Sequence, residues 1–348
     1  MRSIFFEQNL TKIREEVLKE NIIVFDTNAL LDIYRYSNKN RNKFFEILSK
    51  VKNDLYLPHQ VGEEFFNNRV NVIKNKIDEE KKIIDNFKKA FSAVENMLAY
   101  KDNKELLKKI QEKNNEIIKL IEKERGITSD HILKNDEVLD KILDIFDKKI
   151  NEKLADEKLK EIREEGKKRF ENKIPPGYKD TSKETAGKDP YGDLIIWKEI
   201  MDISKSKNKN ILFVSNDTKD DWVDKYNGMV IGPKKELIKE MKKYSNKYFW
   251  QIKSENFIEI ISKKISINNT EKLVEELKNV EEKKTLKEKY IDIIDNIDNI
   301  DWKIATWKKL RDNNELIRVR EPRILKEEDF TWKLTDDNEL IKVREPRI

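Results

Sequence analysis

The sequence predicts an α/β protein built around a parallel sheet, and two short apolar runs carry that prediction. Residues 22–25 and 211–215 are dominated by Ile, Leu, Val and Phe. Such runs are typical of strands that a parallel sheet buries on both faces. Between them, apolar residues spaced three and four apart indicate helices, so strands and helices alternate along the chain.

The first part of the chain, to about residue 69, follows this alternation. A charged amphipathic helix is expected around residues 7–20, ahead of a strand at Ile22–Phe25. A helix at Ala29–Leu48 and a strand at Leu55–Leu57 follow, and Pro58 opens the next helix at or near its first turn. An alternating sheet therefore begins near the N-terminus.

Residues from about 70 to 173 differ in character and predict a helical insertion into the sheet domain. This stretch has no proline, and glycine occurs only at positions 126 and 166. Residues 71–170 contain 25 Lys and Arg against 23 Asp and Glu, which favours amphipathic helices over a strongly charged clamp. Because the predicted strands lie outside the insertion, its removal is expected to leave the sheet folded.

The alternating pattern resumes after a turn at Ile174–Asp180, where two prolines and a glycine end the helices. The predicted elements are a helix at Asp193–Ile203, strands at 211–215 and Met229–Ile231, a helix at 234–243, and a last strand and helix through Phe257–Ser262. The insertion is therefore predicted to split a sheet domain that spans residues 1–262.

Composition excludes several kinds of site. With no cysteine and two histidines, the chain cannot build disulfides, thiolate zinc sites, cysteine nucleophiles or histidine-rich metal centres. Charged residues make up 41% of the chain but the net charge is only +5, which permits nucleic-acid binding without requiring it. No apolar segment approaches about 18 residues and no signal peptide is recognised, so we expect a cytoplasmic protein without membrane contact.

Four acidic residues occur in an order that suits a metal-dependent nuclease. Asp26 and Asp217 follow the two apolar runs, while Glu64 and Asp193 lie near the starts of predicted helices. In open α/β sheets, sites form where the carboxyl ends of strands converge. Carboxylates gathered there repel one another by roughly 4 kcal/mol per close pair at an effective dielectric of about 20, and a divalent cation would remove that cost. Oxygen ligands of this kind predict Mg²⁺ or Mn²⁺.

These acids also have structural explanations. Asp26 could cap the following helix. The helix dipole stabilises a carboxylate at the position of Asp193 by about 0.3–1 kcal/mol without any metal. Glu63 and Glu64 are adjacent, and helical side chains about 100° apart cannot both face one site. Glu64 is the predicted ligand of the two, because Val61 and apolar Phe65 flank it.

The last part of the chain, residues 263–348, contains an internal repeat. Residues 312–324 recur almost unchanged as residues 336–348, with a period of 24, and each copy follows a tryptophan. Each copy predicts a turn and a short strand that ends at proline. We interpret the tail either as a small β appendage or as a surface for a protein partner, self-association or nucleic acid. Truncation after about residue 265 is expected to leave the acidic site intact.

Five motifs of the sheet domain together resemble a known family. The motifs are Phe25–Asp32, Pro58–Phe65, Ile174–Asp180, Tyr191–Asp193 and Ser215–Trp222. Over about residues 20–262 they resemble the PIN-like domains, in particular the bacterial branch with a long helical insertion. The resemblance implies an α/β/α sandwich with a central parallel sheet. It also implies a Mg²⁺- or Mn²⁺-dependent endoribonuclease acting on single-stranded RNA, as a toxin or phage-defence effector.

Carried over residue by residue, the family's catalytic and metal-binding acids fall on Asp26, Glu64, Asp193 and Asp217. Secondary candidates are Asn28, Glu63, Asp180, Lys183, Asp220 and Asp221, and the candidate nucleic-acid contacts are Arg69 and Trp222. Two alternatives stay open. One is a structure-specific or single-stranded DNA nuclease whose insertion guides the strand, as in flap endonucleases. The other is an inactive nucleic-acid-binding or scaffold protein that keeps only the fold.

Overall fold

The structure is a computed structural model with two compact units, Met1–Leu286 and Lys287–Ile348. It describes residues 9–99, 104–123, 135–180, 189–284, 330–334 and 340–344. Within these ranges, no helix has both the length and the apolar character that crossing a membrane requires.

The first unit contains a four-stranded parallel sheet flanked by helices, as the sequence predicts. The strands of this unit are β1 (Asn21–Phe25), β2 (Leu55–Tyr56), β3 (Asn210–Val214), β4 (Val223–Tyr226), β5 (Met229–Pro233) and β6 (Phe249–Ile252). The central sheet has the order β2-β1-β3-β6, with all neighbours parallel. Every residue of β1 and β6 is buried, because helices cover both faces of such a sheet.

Eleven α-helices are described in this unit. They are α1 (Leu10–Lys19), α2 (Thr27–Leu31), α3 (Asn38–Lys50), α4 (His59–Ala99), α5 (Lys104–Lys123), α6 (Glu137–Phe146), α7 (Asp156–Glu171), α8 (Gly192–Lys207), α9 (Lys235–Ser245), α10 (Ser254–Lys264) and α11 (residues 271–284). The helix predicted at Ala29–Leu48 is in fact two helices, since a 3-10 turn at Asp32–Arg35 separates α2 from α3.

The strand predicted at Met229–Ile231 exists but does not join the central sheet. It forms β5, which pairs antiparallel with β4 across a turn at Asn227 and Gly228. Both turn residues have positive φ, 47° and 79°, as a tight hairpin turn requires. The three predicted strand residues are exposed, so their apolar character does not reflect burial in the sheet. The fourth strand of the central sheet is β6, which lies ahead of the helix predicted near Phe257–Ser262.

The helical insertion supplies part of the core, so removing all of it would not spare the sheet domain. Its buried residues include Val72, Ile73, Ile142, Phe146 and Ile162. Residues next to α6 also extend the sheet edge at β2, where the backbone N–H of Leu57 donates to the carbonyl of Lys149 at 2.9 Å. The expectation that the whole stretch can be deleted is therefore revised. Among the described residues of the insertion, the outer parts of α4 and α5 are mainly exposed.

The first unit also extends past the predicted boundary at residue 262. Helix α11 buries Leu273, Val274 and Leu277 in the same core as the sheet. Its Glu276 carboxylate accepts a hydrogen bond from the backbone N–H of Ser37 at 2.6 Å. In the second unit, β7 (Phe330–Leu334) pairs antiparallel with β8 (Leu340–Arg344). Strand β8 lies in the second repeat copy, and the first copy lies outside the described residues.

Candidate active site

The ends of two central strands bring the candidate residues together. The backbone N–H of Asp26, which follows β1, donates to the carbonyl of Val214 on β3 at 2.9 Å. Ser215, which follows β3, donates its N–H to Ile252 on β6 at 3.0 Å. Asp26 and Ser215 therefore lie side by side at the carboxyl edge of the sheet, where sites of open α/β folds form.

Asp26 is held by three donors. Its Oδ1 accepts from the backbone N–H of Thr27 at 2.7 Å, which makes it the N-cap of α2. Its Oδ2 accepts from Asn28 Nδ2 at 2.5 Å and from Ser215 Oγ at 2.6 Å. Asn28 also accepts a bond from the N–H of Asn216 at 2.9 Å, so it joins the loops after β1 and β3. The capping and site roles of Asp26 are thus compatible.

Glu64, rather than Glu63, faces Asp26. Thr27 Oγ donates to Glu64 Oε2 at 3.0 Å, and Gln60 Nε2 donates to Oε1 at 3.0 Å. The side chain of Glu63 is 47% exposed and lies 3.9 Å from His59 Nδ1. This division follows from the 100° rotation between adjacent helical residues.

Gly192 fits closely against the Glu64 carboxylate, which leads to a testable prediction. A Cβ at position 192 would lie 2.7 Å from Glu64 Oε1. Gly192→Ala should therefore move the carboxylate while leaving the fold intact, and a misplacement of about 1 Å can lower a rate by roughly 10²-fold. The measurements are kcat/KM on a nucleic-acid substrate and the melting temperature. Gly62→Ala is the control, since its new Cβ would meet Leu57 at an ordinary 3.7 Å.

Asp193 lies in the first turn of α8 and is oriented by Trp222. The indole Nε1 of Trp222 donates to Asp193 Oδ2 at 3.0 Å. The Trp222 ring is only 3% exposed and stacks on Phe213, with ring centroids 5.3 Å apart. This burial contradicts the prediction that Trp222 stacks on bases. Gly177 also lies close to Asp193. Its φ is 89°, and a Cβ added to it would lie 3.2 Å from the Cβ of Asp193.

Asp217 binds two groups of the same residue, Lys219. Its Oδ1 accepts from the backbone N–H of Lys219 at 2.8 Å, and its Oδ2 lies 3.2 Å from the Lys219 ammonium. The ammonium also donates to Asp180 Oδ1 at 2.9 Å. The turn at Ile174–Asp180 is thereby joined to the loop after β3. Lys183 lies outside the described residues.

Asp193, Asp217 and Glu64 lie close enough to Asp26 for their charges to affect its ionisation. Burial raises the pKa of Asp26 to about 7; the Ser215 hydroxyl lowers it, and the negative charges of Asp193, Asp217 and Glu64 raise it. Burial lowers the pKa of Lys219, but the carboxylates of Asp217, Asp193 and Asp180 outweigh that effect and raise it above the usual lysine range. The cluster therefore favours a cation in its midst.

The donor set suits a hard divalent cation, although the side chains do not enclose one as they stand. No three His, Asp or Glu side chains in the described part of the chain are grouped closely enough to hold an ion. The Lys219 ammonium, however, shows that a cation is accommodated between Asp217 and Asp180. All four candidate ligands are carboxylates, which Mg²⁺ and Mn²⁺ prefer.

Several supporting residues were not found by the sequence analysis. Ser215 and Thr27 orient Asp26 and Glu64 by hydrogen bonds that span 189 and 37 positions. Gln60 donates to Glu64 from one helical turn before it. Glu199 on α8 is buried and accepts the backbone N–H of Gln60 at 3.0 Å, so it satisfies the first turn of the helix that carries Glu64. Ser215 alone had a sequence clue, its place between a buried strand and Asp217.

Glu199 predicts how stability should change with pH. Burial raises the pKa of Glu199 to about 7, with smaller raising contributions from Glu63 and Asp202. The folded protein therefore holds this proton more tightly than the unfolded chain. The resulting stabilisation is present below the unfolded pKa and is lost as pH rises through about 7; its full size is roughly 3 kcal/mol. Glu199→Gln should lack this dependence.

The measurement is the free energy of unfolding of the wild type and Glu199→Gln between pH 5 and pH 8. The variant should gain stability relative to the wild type as pH rises. Glu46→Gln is the control, because Glu46 is exposed and pairs only with Lys43 among the ion pairs described. A difference between Glu199→Gln and wild type that stays constant with pH would contradict the prediction.

The remaining candidates lie away from the acids or are engaged elsewhere. Asp220 is 58% exposed and pairs with Lys225 at 2.9 Å. Asp221 is buried and accepts the backbone N–H of Lys179 at 3.0 Å, which fixes the Ile174–Asp180 turn. The side chain of Arg69 is 15% exposed; it pairs with Asp136 at 3.3 Å and lies over the Phe66 ring. Arg69 is thus placed to hold α4 rather than a nucleic-acid backbone.

Comparison with known proteins agrees with this geometry. The family model described as a PIN-like domain matches residues 22–237, which include all four acids and the helical insertion. No curated protein and no solved structure matches the chain. PIN-like domains are generally nucleases. The matched region covers more than half of the chain and includes strands β1, β2 and β3 of the central sheet, the four acids and the loops that orient them, so the chain belongs to the PIN-like domain family.

Proposed function

We propose that the protein is a nuclease that hydrolyses phosphodiester bonds and depends on Mg²⁺ or Mn²⁺. The observation that supports this proposal most strongly is the convergence of four acids from four separate segments. Asp193, Asp217 and Glu64 each lie close enough to raise the pKa of Asp26. A group of partly buried, mutually repelling carboxylates destabilises the fold unless a cation compensates it, so its presence favours a functional site.

In this proposal Asp26, Glu64, Asp193 and Asp217 hold the metal. The chemistry that such an ion supplies when bound is activation of a water nucleophile and neutralisation of charge on the phosphate. The chain's own contribution is orientation. Ser215 and Asn28 fix the Asp26 carboxylate, and Thr27 fixes that of Glu64. These bonds pre-set the ligands, which lowers the cost of assembling the site.

We favour single-stranded RNA as the substrate and a toxin or phage-defence effector as the biological role, on the strength of the family resemblance. The test incubates the purified full-length protein with labelled single-stranded RNA, single-stranded DNA and a flap substrate. Each reaction is run with Mn²⁺ and with a chelator. Cleavage of RNA only with Mn²⁺ is the expected result. No cleavage of any substrate with Mn²⁺ would favour an inactive binding or scaffold protein.

One observation favours the DNA alternative. Helix α4 carries Glu64 near its start and continues without interruption to Ala99, so the site and the outer part of the insertion share one rigid element. We call residues 88–119 the outer arm. Helix α4 contacts α5, and the two helices expose Ile83, Val94, Leu106 and Leu120. A helical arm attached to the site is suited to guiding a single strand.

Deleting the outer arm tests this alternative. Replacing residues 88–119 by a short linker should keep the fold, because most of the described residues in that range are exposed. If the arm guides DNA, the variant should lose flap cleavage while cleaving short single strands at the wild-type rate. Equal effects on the flap and on the short strands would count against guidance. Melting temperature and circular dichroism serve as the folding control.

A further inference from the structure

Lys219 has an unusual position in the acidic cluster. Its backbone N–H and its ammonium both bind Asp217, at 2.8 and 3.2 Å, so the residue folds back over one carboxylate. The same ammonium reaches Asp180 at 2.9 Å. Asp180 and Asp217 belong to segments that are far apart in sequence, and the ammonium joins them.

A divalent cation and this ammonium compete for Asp217. A ligating carboxylate oxygen lies about 2.0–2.1 Å from Mg²⁺, so an ion bound at Oδ2 would lie within about 5 Å of an ammonium that is 3.2 Å from the same oxygen. Two positive charges at such a distance repel strongly in a partly buried site. The carboxylates of Asp180 and Asp217 are largely buried, whereas the Lys219 side chain is 43% exposed. The lysine is therefore the group that can move out.

We propose that Lys219 is the internal counter-ion of the acidic site and that a divalent cation must displace its ammonium from Asp217 and Asp180. The proposal rests on the proposed function, because it concerns the same ligands. In the absence of metal, Lys219 neutralises the cluster and stabilises the loop after β3. With metal, it competes and so lowers the affinity for the ion. Lys219 is a positioning residue in this scheme.

The experiment measures Mn²⁺ affinity by calorimetry and melting temperature in chelator, with full-length protein and no substrate. Lys219→Met should bind Mn²⁺ about tenfold more tightly, a typical size for coupling between two ligands, and should melt at a lower temperature in chelator. Lys219→Arg keeps the charge and should behave as the wild type. Lys234→Met is the matched control, since it breaks a similar 2.8 Å ion pair with Asp224.

The proposal is overturned if Lys219→Met, folded, binds Mn²⁺ no more tightly than the wild type. Lys219→Gln, which retains a neutral donor, is measured in parallel so that the result does not depend on one variant's folding. Asp26→Asn distinguishes a failure of the counter-ion role from a failure of the proposed metal-dependent function. If Mn²⁺ binding depends on Asp26 but not on Lys219, only the counter-ion role fails. If the wild type binds no Mn²⁺, the metal-dependent function fails with it.

Discussion

The Asp26→Asn protein is expected to fold and to lose nuclease activity by roughly three orders of magnitude. The amide keeps the shape of the side chain and can still accept the N–H of Thr27, but it removes one anionic metal ligand. Charge stabilisation by a metal is worth several kcal/mol, and each 1.36 kcal/mol is tenfold in rate. Without metal, two effects oppose each other. The variant removes a charge that burial and three neighbouring carboxylates disfavour, and it loses the hydrogen bond from Asn28, so stability should change little.

The measurements are the cleavage rate of labelled RNA with Mn²⁺ and the melting temperature in chelator. Asp224→Asn is a suitable control, because Asp224 pairs with Lys234 in the β4–β5 hairpin. It makes the same chemical change outside the acidic cluster. Cleavage by Asp26→Asn at the wild-type rate would show that the site lies elsewhere. Loss of both folding and cleavage would leave Asp26 with a capping role only.

The sheet and its acids could be predicted because burial leaves a local trace in the sequence. Strands covered on both faces need continuous apolar runs, and β1 and β3 have them. Polar residues that follow such runs come to the same edge of the sheet. The order of the elements was therefore enough to place Asp26 and Asp217 at that edge.

The partners of those acids could not be predicted, because they depend on contacts between distant segments. Trp222 lies in a polar loop, and only the fold shows that its ring covers Phe213 and donates to Asp193. Arg69 lies on the Glu64 helix, and its pairing with Asp136 spans 67 positions. Lys219 lies in a run of charged residues, which the sequence alone predicts to be solvated. Only the fold places Asp180 beside it.

Domain extent was also hidden, for a related reason. Helix α11 is dominated by Lys and Glu, and its few apolar residues resemble those of an isolated charged helix. Only their burial against the sheet domain identifies it as part of the first unit. The same applies to the insertion, where Ile142 and Phe146 belong to the core although the predicted strands lie outside that stretch.

Two truncations should therefore have opposite results. A protein ending at Leu286 should fold, because it keeps the whole first unit. A protein ending at Lys264 should be unstable, because it loses α11. Full burial of a large aliphatic side chain contributes about 1.5–3 kcal/mol, so Leu273, Val274 and Leu277 together contribute roughly 5–9 kcal/mol. Whole domains have a net stability of only about 5–15 kcal/mol.

Helix α11 also supports the loop of the acidic site through Asp32, which sharpens this prediction. Its Lys284 binds the buried carboxylate of Asp32, and Asp32 accepts a hydrogen bond from Asn216 at 2.9 Å. Asn216 precedes Asp217 in the loop after β3. Any folded remnant of the shorter protein should therefore have a disturbed site, whereas the longer one should cleave a short oligonucleotide at the wild-type rate.

Removal of residues 287–348 should instead affect recruitment. The tail carries two near-identical segments, each preceded by a tryptophan and rich in arginine, a composition typical of contact surfaces. Melting temperature, turnover on a short oligonucleotide and native mass should be compared for the full chain and both truncations. The protein ending at Leu286 should keep the first two and lose a partner, an oligomeric state or target recruitment. If it folds but does not turn over, the tail belongs to the active site, and if the protein ending at Lys264 melts like the full chain, α11 is not part of the core.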